Sequence, residues 1–319
     1  MNIPYIDAAT MARTLDYGGL VAHLRQAHCQ SPPDVQRVLM QQRSPQGSDN
    51  GFLIWPAWQP GAHLGVKICT LFPDNRERPT VQALYVLLSD RDGSVQALLD
   101  GTEETYWKTA ADSALGADLL ARPDAQHLLL VGAGALAPHL VRAYCAVRPG
   151  LRQVTVWNRT PDKAEAVVRQ LAPALPGVCL AASQDLAASA ARADIVCTAT
   201  ASARPVLQGA WLRPGTHVDL IGGFTPQMRE ADDDTVRHAR IFVDSRWFTL
   251  DHAGDLTQPI ASGVIRREDV LGDLFDLCSG RVAGRQSASD MTVFKSGGGA
   301  HLDLMTAQYI VQSVARAAA

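Results

Sequence analysis

The sequence predicts an α/β protein: a doubly wound parallel sheet in the second half of the chain, preceded by a smaller α+β unit. Three observations carry this. From His127 onward, short apolar runs alternate with helical stretches, the rhythm of a parallel sheet covered on both faces. Before that point, four strand-like runs follow one another without a long helix between them, which favours antiparallel pairing. At 319 residues the chain also exceeds the size that one core usually organises, so two cores are expected.

In chain order, residues 10–29 have a helical pattern. The runs GFLIWPAW, LGVKICTLF, TVQALYVLLSD and SVQALLD then read as strands, separated by Pro, Gly, Asp and Asn. An alanine-rich helical pattern runs from Glu103 to Leu120, and Arg122-Pro123-Asp124 ends it, a natural hinge to a second domain. Beyond the hinge, HLLLVGAG leads a helix to about Val147, and QVTVWNRT leads another through Lys163 to Leu171. ADIVCTAT, THVDLIGG and ARIFVDS complete five parallel strands. The tail from Ser287 contains a Gly-rich turn, FKSGGGA, and a final helix. Asp232-Asp233-Asp234 reads as a solvated helix start, where the helix dipole favours acids.

Composition narrows the function classes. An apolar content of 47% with 19% charged residues describes a globular protein, and a net charge of −3 without a basic cluster argues against nucleic acid or an anionic membrane as partner. With no apolar run long enough to span a bilayer and no signal-peptide order at the N-terminus, a cytoplasmic location is expected. The six cysteines stand singly, without C-x-x-C or nearby histidines, so buried free thiols are expected and a metal site is not.

The most specific local signal is Gly132-Ala133-Gly134-Ala135-Leu136-Ala137, a G-x-G-x-x-A turn between a strand and a helix. Small residues are needed there because the turn is tight, the backbone must approach a pyrophosphate, and the helix N-terminus must face the phosphates. Dinucleotide sites selective for NAD place Asp or Glu at the end of the next strand. Here that strand ends Trp157-Asn158-Arg159-Thr160. Arg159 suits a ribose 2′-phosphate, with Asn158 and Thr160 adding neutral hydrogen bonds. NADP(H) is therefore the expected cofactor, with NAD(H) as the alternative. Thr198 and Thr200, at the carboxyl end of a later strand, are candidates for the nicotinamide side or for an ordinary strand cap.

Several segments together resemble the ornithine cyclodeaminase/μ-crystallin family: Gly65-Val66-Lys67-Ile68 through Phe72-Pro73-Asp74-Asn75, Leu99-Asp100-Gly101-Thr102, Lys108-Thr109-Ala110-Ala111, the GAG turn, and Phe294-Lys295-Ser296. The resemblance implies a homodimer. It assigns residues 1–121 with 300–319 to a substrate-binding and dimerisation domain, and 122–299 to a Rossmann nucleotide domain. It further implies hydride transfer between nicotinamide and the α-carbon of a small 2-amino or 2-imino acid. Carried over by position, the substrate carboxylate falls to Arg37, Lys67 and Lys108, with Arg43 competing with Arg37. Lys108 stands where the family usually has arginine, which exchanges a planar fork for a point charge. Ser296 is a candidate nicotinamide contact or helix cap, and His301 stands where relatives often carry glutamate.

Cyclodeaminases of this family carry an aspartate directly after a Gly-Gly; here Gly222-Gly223 is followed by Phe224, which cannot take a proton from a δ-ammonium. Strand alternation and distance make Asp219 and Glu230 poor replacements. The pattern resembles the ketimine reductases, which reduce Δ1-pyrroline-2-carboxylate or Δ1-piperideine-2-carboxylate, with Phe224 against the ring methylenes. Lys67 is then expected to protonate the imine nitrogen, its pKa pulled below about 10.4 by neighbouring cations. Ornithine cyclodeaminase, an alanine-type amino acid dehydrogenase and a non-enzymatic μ-crystallin-like ligand binder are the alternatives.

Overall fold

The computed structural model describes residues 3–318. The chain forms two compact units, residues 1–108 with 299–319 and residues 109–298. The division falls inside a long helix, between Lys108 and Thr109, rather than at the helix end near Arg122.

The first unit opens with β1 (Tyr5–Ile6), α1 (Ala8–Thr14) and α2 (Tyr17–Ala27). The helical stretch expected over 10–29 is thus two helices, because Asp16 caps the second by accepting from the Gly19 amide. Strands β2 (Asp34–Val35), β3 (Val38–Arg43), β4 (Asp49–Gln59), β5 (His63–Leu71), β6 (Val81–Ser89) and β7 (Val95–Asp100) follow, then α3 (Gly101–Leu120). They form a seven-stranded sheet in the order β1-β7-β6-β5-β4-β2, with β3 also on β4. Among the described residues only β1 pairs parallel in this sheet. The two-residue strands β1 and β2 are too short to leave a period in the sequence.

The C-terminal helix, Ala300–Ala318, packs on β4, β5 and β6 and against α1 and α2. It covers the sheet face that carries Trp55, Lys67 and Tyr85, which are aligned in register. The opposite face carries Ile54, Ile68 and Leu84 in one row and Pro56, Val66 and Val86 in the next, all half-buried.

The second unit contains β8 (His127–Val131), α4 (Ala137–Val147), β9 (Gln153–Trp157), α5 (Pro161–Leu171), β10 (Cys179–Ser183), α6 (Leu186–Arg192) and β11 (Ile195–Thr198). Then come β12 (His217–Leu220), α7 (Asp233–Arg237), β13 (Arg240–Val243), α8 (Arg246–His252), α9 (Gly254–Ala261), β14 (Val270–Asp273), α10 (Leu274–Cys278) and β15 (Thr292–Lys295). All eight strands are parallel, in the order β10-β9-β8-β11-β12-β15-β13-β14. The five expected strands are β8, β9, β11, β12 and β13. The segment expected only as a Gly-rich turn holds β15, which inserts between β12 and β13. Its four residues are all buried, Lys295 included, because parallel strands lie covered on both faces.

No helix among the described residues is long and apolar enough to cross a membrane. Cys69 and Cys197 are buried as expected, but Cys29 and Cys179 are exposed.

Candidate active site

In the first unit a charged cluster lies inside the apolar layer between the sheet and the C-terminal helix. Lys67, on central strand β5, reaches Thr105 Oγ1 at 2.7 Å, Asp303 Oδ1 at 2.9 Å and Glu104 Oε2 at 2.9 Å. Lys108, one helical turn beyond Glu104 on α3, meets the same Asp303 oxygen at 3.0 Å. Glu104 and Asp303 are fully buried, and Lys67 and Lys108 are only 4% and 5% exposed. Thr105 gives its own proton to the Gly101 carbonyl, so it accepts from Lys67. Two lysines and two carboxylates satisfy the rule that buried charges come paired.

The pairing sets the protonation. Burial alone pulls the Lys67 ammonium down, but Asp303 and Glu104 outweigh it and hold Lys67 above the ordinary lysine value. The expectation that neighbouring cations lower it is therefore wrong, because its nearest charges are anions. Asp303 is pushed up by burial yet ends below the ordinary carboxylate range, since Lys108 and Lys67 both favour its anion. Glu104 goes the other way: burial, with Asp303 adding to it, outweighs the two lysines and pushes it up to about 7. Its contact with Lys67 is ionic and off the hydrogen-bond axis, and neither of its oxygens accepts a hydrogen bond.

Arg37 stands outside this cluster, exposed, one residue before β3. The pairs Val35 with Ala57 and Val38 with Ile54 put it opposite Trp55, which pairs with Lys67. Arg37 is therefore two strands from Lys67 in the same row, about 10 Å away. Arg43 pairs with Asp49 at the far end of β3, about 20 Å along the strand, and its side chain is 73% exposed. His301 is buried, edge-on to His28 at 5.9 Å; burial first, then His28 and Lys108, push its pKa down to about 3, so it is neutral.

The second unit carries the nucleotide turn. Gly132 has φ of +123°, and a Cβ there would lie 2.4 Å from the Ala199 carbonyl oxygen, so only glycine fits. A Cβ at Gly134 would meet nothing within 4 Å, which leaves its backbone open to a ligand. Gly134 and Ala135 are exposed, Leu136 precedes α4, and no side chain caps the first turn of that helix. At the end of β9, Arg159 and Thr160 are exposed, and Asn158 Nδ2 donates to the Thr160 carbonyl at 3.0 Å. The turn, the open backbone and the uncapped helix start fit a dinucleotide phosphate.

Thr198 and Thr200 are gathered by one buried acid. Glu230 accepts from Thr198 Oγ1 at 2.8 Å, Thr200 Oγ1 at 2.8 Å and the amides of Thr200 and Gly222 at 2.6 Å. Gly222 and Gly223 are small because added Cβ atoms would strike Thr200, Glu230 and Asp255. Phe224, the next residue, is 54% exposed. Asp219 is buried and accepts from Tyr144 Oη at 2.5 Å. Both acids that flank Phe224 in sequence are thus consumed inside the unit. Ser296 donates its hydroxyl proton to Asp112 at 2.6 Å.

The structure thus brings Lys67 and Lys108 together and leaves Arg37 and Arg43 outside their hydrogen-bonded cluster, while Phe224 belongs to the second unit. Glu104, Thr105 and Asp303 were missed by sequence reasoning. Two signals were available: Asp303 interrupts the apolar face of AHLDLM, and Glu104 precedes Lys108 by four residues on a helix.

A Rossmann unit with a glycine phosphate turn, in one chain with a unit holding buried lysines, defines a nicotinamide-dependent oxidoreductase fold. The model described as "Ornithine cyclodeaminase/mu-crystallin family" matches residues 19–317. The chain belongs to the ornithine cyclodeaminase/μ-crystallin family. It is 48% identical over 306 residues, 94% of each chain, to a Delta(1)-pyrroline-2-carboxylate reductase of Paracoccus denitrificans. A protein of the same name from Colwellia psychrerythraea is 36% identical, covering 97% of this chain and 99% of its own. Among solved structures, Thermococcus litoralis Delta(1)-pyrroline-2-carboxylate reductase, in complex with NADH and L-proline, superposes with a TM-score of 0.91 at 25% identity, covering 99% of this chain and 98% of its own.

Proposed function

We propose that this protein reduces a cyclic 2-imino acid, Δ1-pyrroline-2-carboxylate or Δ1-piperideine-2-carboxylate, to L-proline or L-pipecolate with NADPH. The observation that carries the reading is the buried pair Lys67 and Lys108, in a chain 48% identical to a reductase of the first substrate. Sequestration of Asp219 and Glu230 weighs against cyclodeamination, which needs a free carboxylate to take a proton from the δ-ammonium.

In this reading the bound nicotinamide dinucleotide supplies the hydride. Gly132, Gly134, Ala135 and Leu136 cradle its pyrophosphate, and Arg159 pairs with the 2′-phosphate while Asn158 and Thr160 add neutral contacts. Thr198 and Thr200, held by Glu230, shape the nicotinamide end of that site, with Ser296 beside them. Lys108 and Arg37 hold the substrate carboxylate; Arg37 is preferred over Arg43 because it shares a register row with Lys67. Lys67 protonates the imine nitrogen, and Phe224 packs on the ring methylenes. Orienting the imine in this way supplies a large part of the acceleration.

The protein is further read as a homodimer. The apolar rows around Ile54, Ile68 and Val66 lie on the sheet face opposite the C-terminal helix, and a second copy covering this face would bury them. Sedimentation should give twice the chain mass.

The decisive assay follows NADPH and NADH oxidation with both cyclic imines, and ammonia release from L-ornithine. Imine-dependent oxidation, faster with NADPH, is expected. Ammonia from ornithine without imine reduction would overturn the reading.

A further inference from the structure

Lys67 is surrounded by as many oxygens as an ammonium has N–H donors, so a substrate can claim one only if an existing partner lets go. The three partners are not equal. Thr105 and Asp303 accept aligned hydrogen bonds, and Asp303 is held in addition by Lys108. Glu104 alone touches Lys67 off-axis, and it is a fully buried carboxyl with no hydrogen bond to either oxygen.

The charges point the same way. The groups facing Glu104 are Lys67 on β5, Asp303 on the C-terminal helix, Lys108 on its own helix and the Tyr85 phenol on β6. With both acids ionised, the two lysines are cancelled and the cluster itself offers an incoming carboxylate no net positive charge. One proton on Glu104 restores a net charge of +1 and weakens the contact that competes for Lys67.

We infer that Glu104 is the proton store of the reaction: it takes up a proton as the substrate carboxylate binds and returns it through Lys67 to the imine nitrogen. This rests on the reductase reading. In the step itself the C=N π bond breaks, and C2 gains the hydride from the reduced nicotinamide. The ring nitrogen gains a proton from Lys67, and the resulting Lys67 amine takes the proton from the Glu104 carboxylic acid. Glu104 ends as a carboxylate, reprotonated from water in the next cycle. Glu104 touches Lys67 and acts through it, so it is a positioning and proton-holding residue. Its burial to about pKa 7 places the exchange in the neutral range.

The test uses pyrrole-2-carboxylate, a planar anion of the same ring size that is not reduced. Binding to the whole protein is followed by calorimetry at pH 7 to 8 in two buffers of different ionisation heat, which counts protons taken up. Uptake is expected for the wild type, growing from about half a proton per site at pH 7 toward one at pH 8, and none for Glu104→Gln. In turnover, kcat/KM of the wild type should fall about tenfold per pH unit above its inflection. Glu104→Gln should be slower by on the order of a hundredfold and flat over that range. Equal proton uptake by wild type and Glu104→Gln, or wild-type binding without uptake, would overturn the proposal. Should Glu104→Gln fail to fold, Glu104→Asp serves: its inflection should move, and an unmoved one overturns the idea equally. Failure of the reductase reading shows separately, as a wild type that binds the analogue with proton uptake yet reduces neither imine.

Discussion

The two candidate sites of this protein are built from opposite materials. The nucleotide site is backbone: Gly132 in the left-handed region, Gly134 open to solvent, and a helix start that no side chain caps. The Lys67 site is side chain: four buried charges and a threonine from a strand, the start of α3 and the C-terminal helix. A backbone site needs only a short run of residues of the right size. A charge-balanced site needs every member at once, because each buried ion left unpaired is costly. The first should fail locally when broken, and the second should fail cooperatively.

The largest effect is expected at Asp303, the carboxylate shared by both lysines. Asp303→Ala leaves Lys67 and Lys108 short of an anion in a fully buried layer, which costs about 3–5 kcal/mol. Chemical denaturation should show that loss of stability in the first unit. NADPH binding, read by fluorescence on whatever fraction stays folded, should be retained. Loss of less than about 1 kcal/mol would mean that the cluster is hydrated and that its charges are not coupled as described.

The same difference decides what could be read from sequence. The Rossmann strands β8, β9, β11, β12 and β13 were legible because each is an apolar run bounded by a turn. The glycine fingerprint was legible because its physics is local. Strand β15 was not, since TVFK is four residues long and its place between β12 and β13 depends on long-range pairing. Lys67 stood out as a charge inside LGVKICTLF, yet its protonation was misjudged. The residues that set it, Glu104 and Asp303, come from elements distant in the chain, and sequence supplied only the cations. Likewise, the split of the first helical stretch at Asp16 turns on one cap that periodicity does not register.

A smaller effect is expected from breaking the backbone site. Gly132→Ala forces a side chain into a positive-φ position and against the Ala199 carbonyl, at 2.4 Å from the added Cβ. The strain is worth about 1–3 kcal/mol, and relieving it moves the turn away from the phosphate position. Affinity for NADPH and NADH should fall together. In the first unit the proton uptake on binding pyrrole-2-carboxylate should not change. A Gly132→Ala protein with ordinary affinity for both cofactors would show that the turn is not the phosphate cradle.

The smallest effect sharpens the comparison by placing one side chain within the backbone site. Arg159 is exposed at the end of β9, where no carboxylate competes for the ribose, and it has no hydrogen-bond or ion-pair partner among the described residues. A charge-assisted contact to a 2′-phosphate is worth about 1.5–3 kcal/mol, so Arg159→Ala should weaken NADPH binding by roughly 10- to 100-fold. NADH has no phosphate there and should bind as before. The ratio of the two dissociation constants therefore reports on Arg159 alone, free of any general damage to the turn. A ratio unchanged by the substitution would return Arg159 to an ordinary solvated arginine and remove the basis for preferring NADPH over NADH.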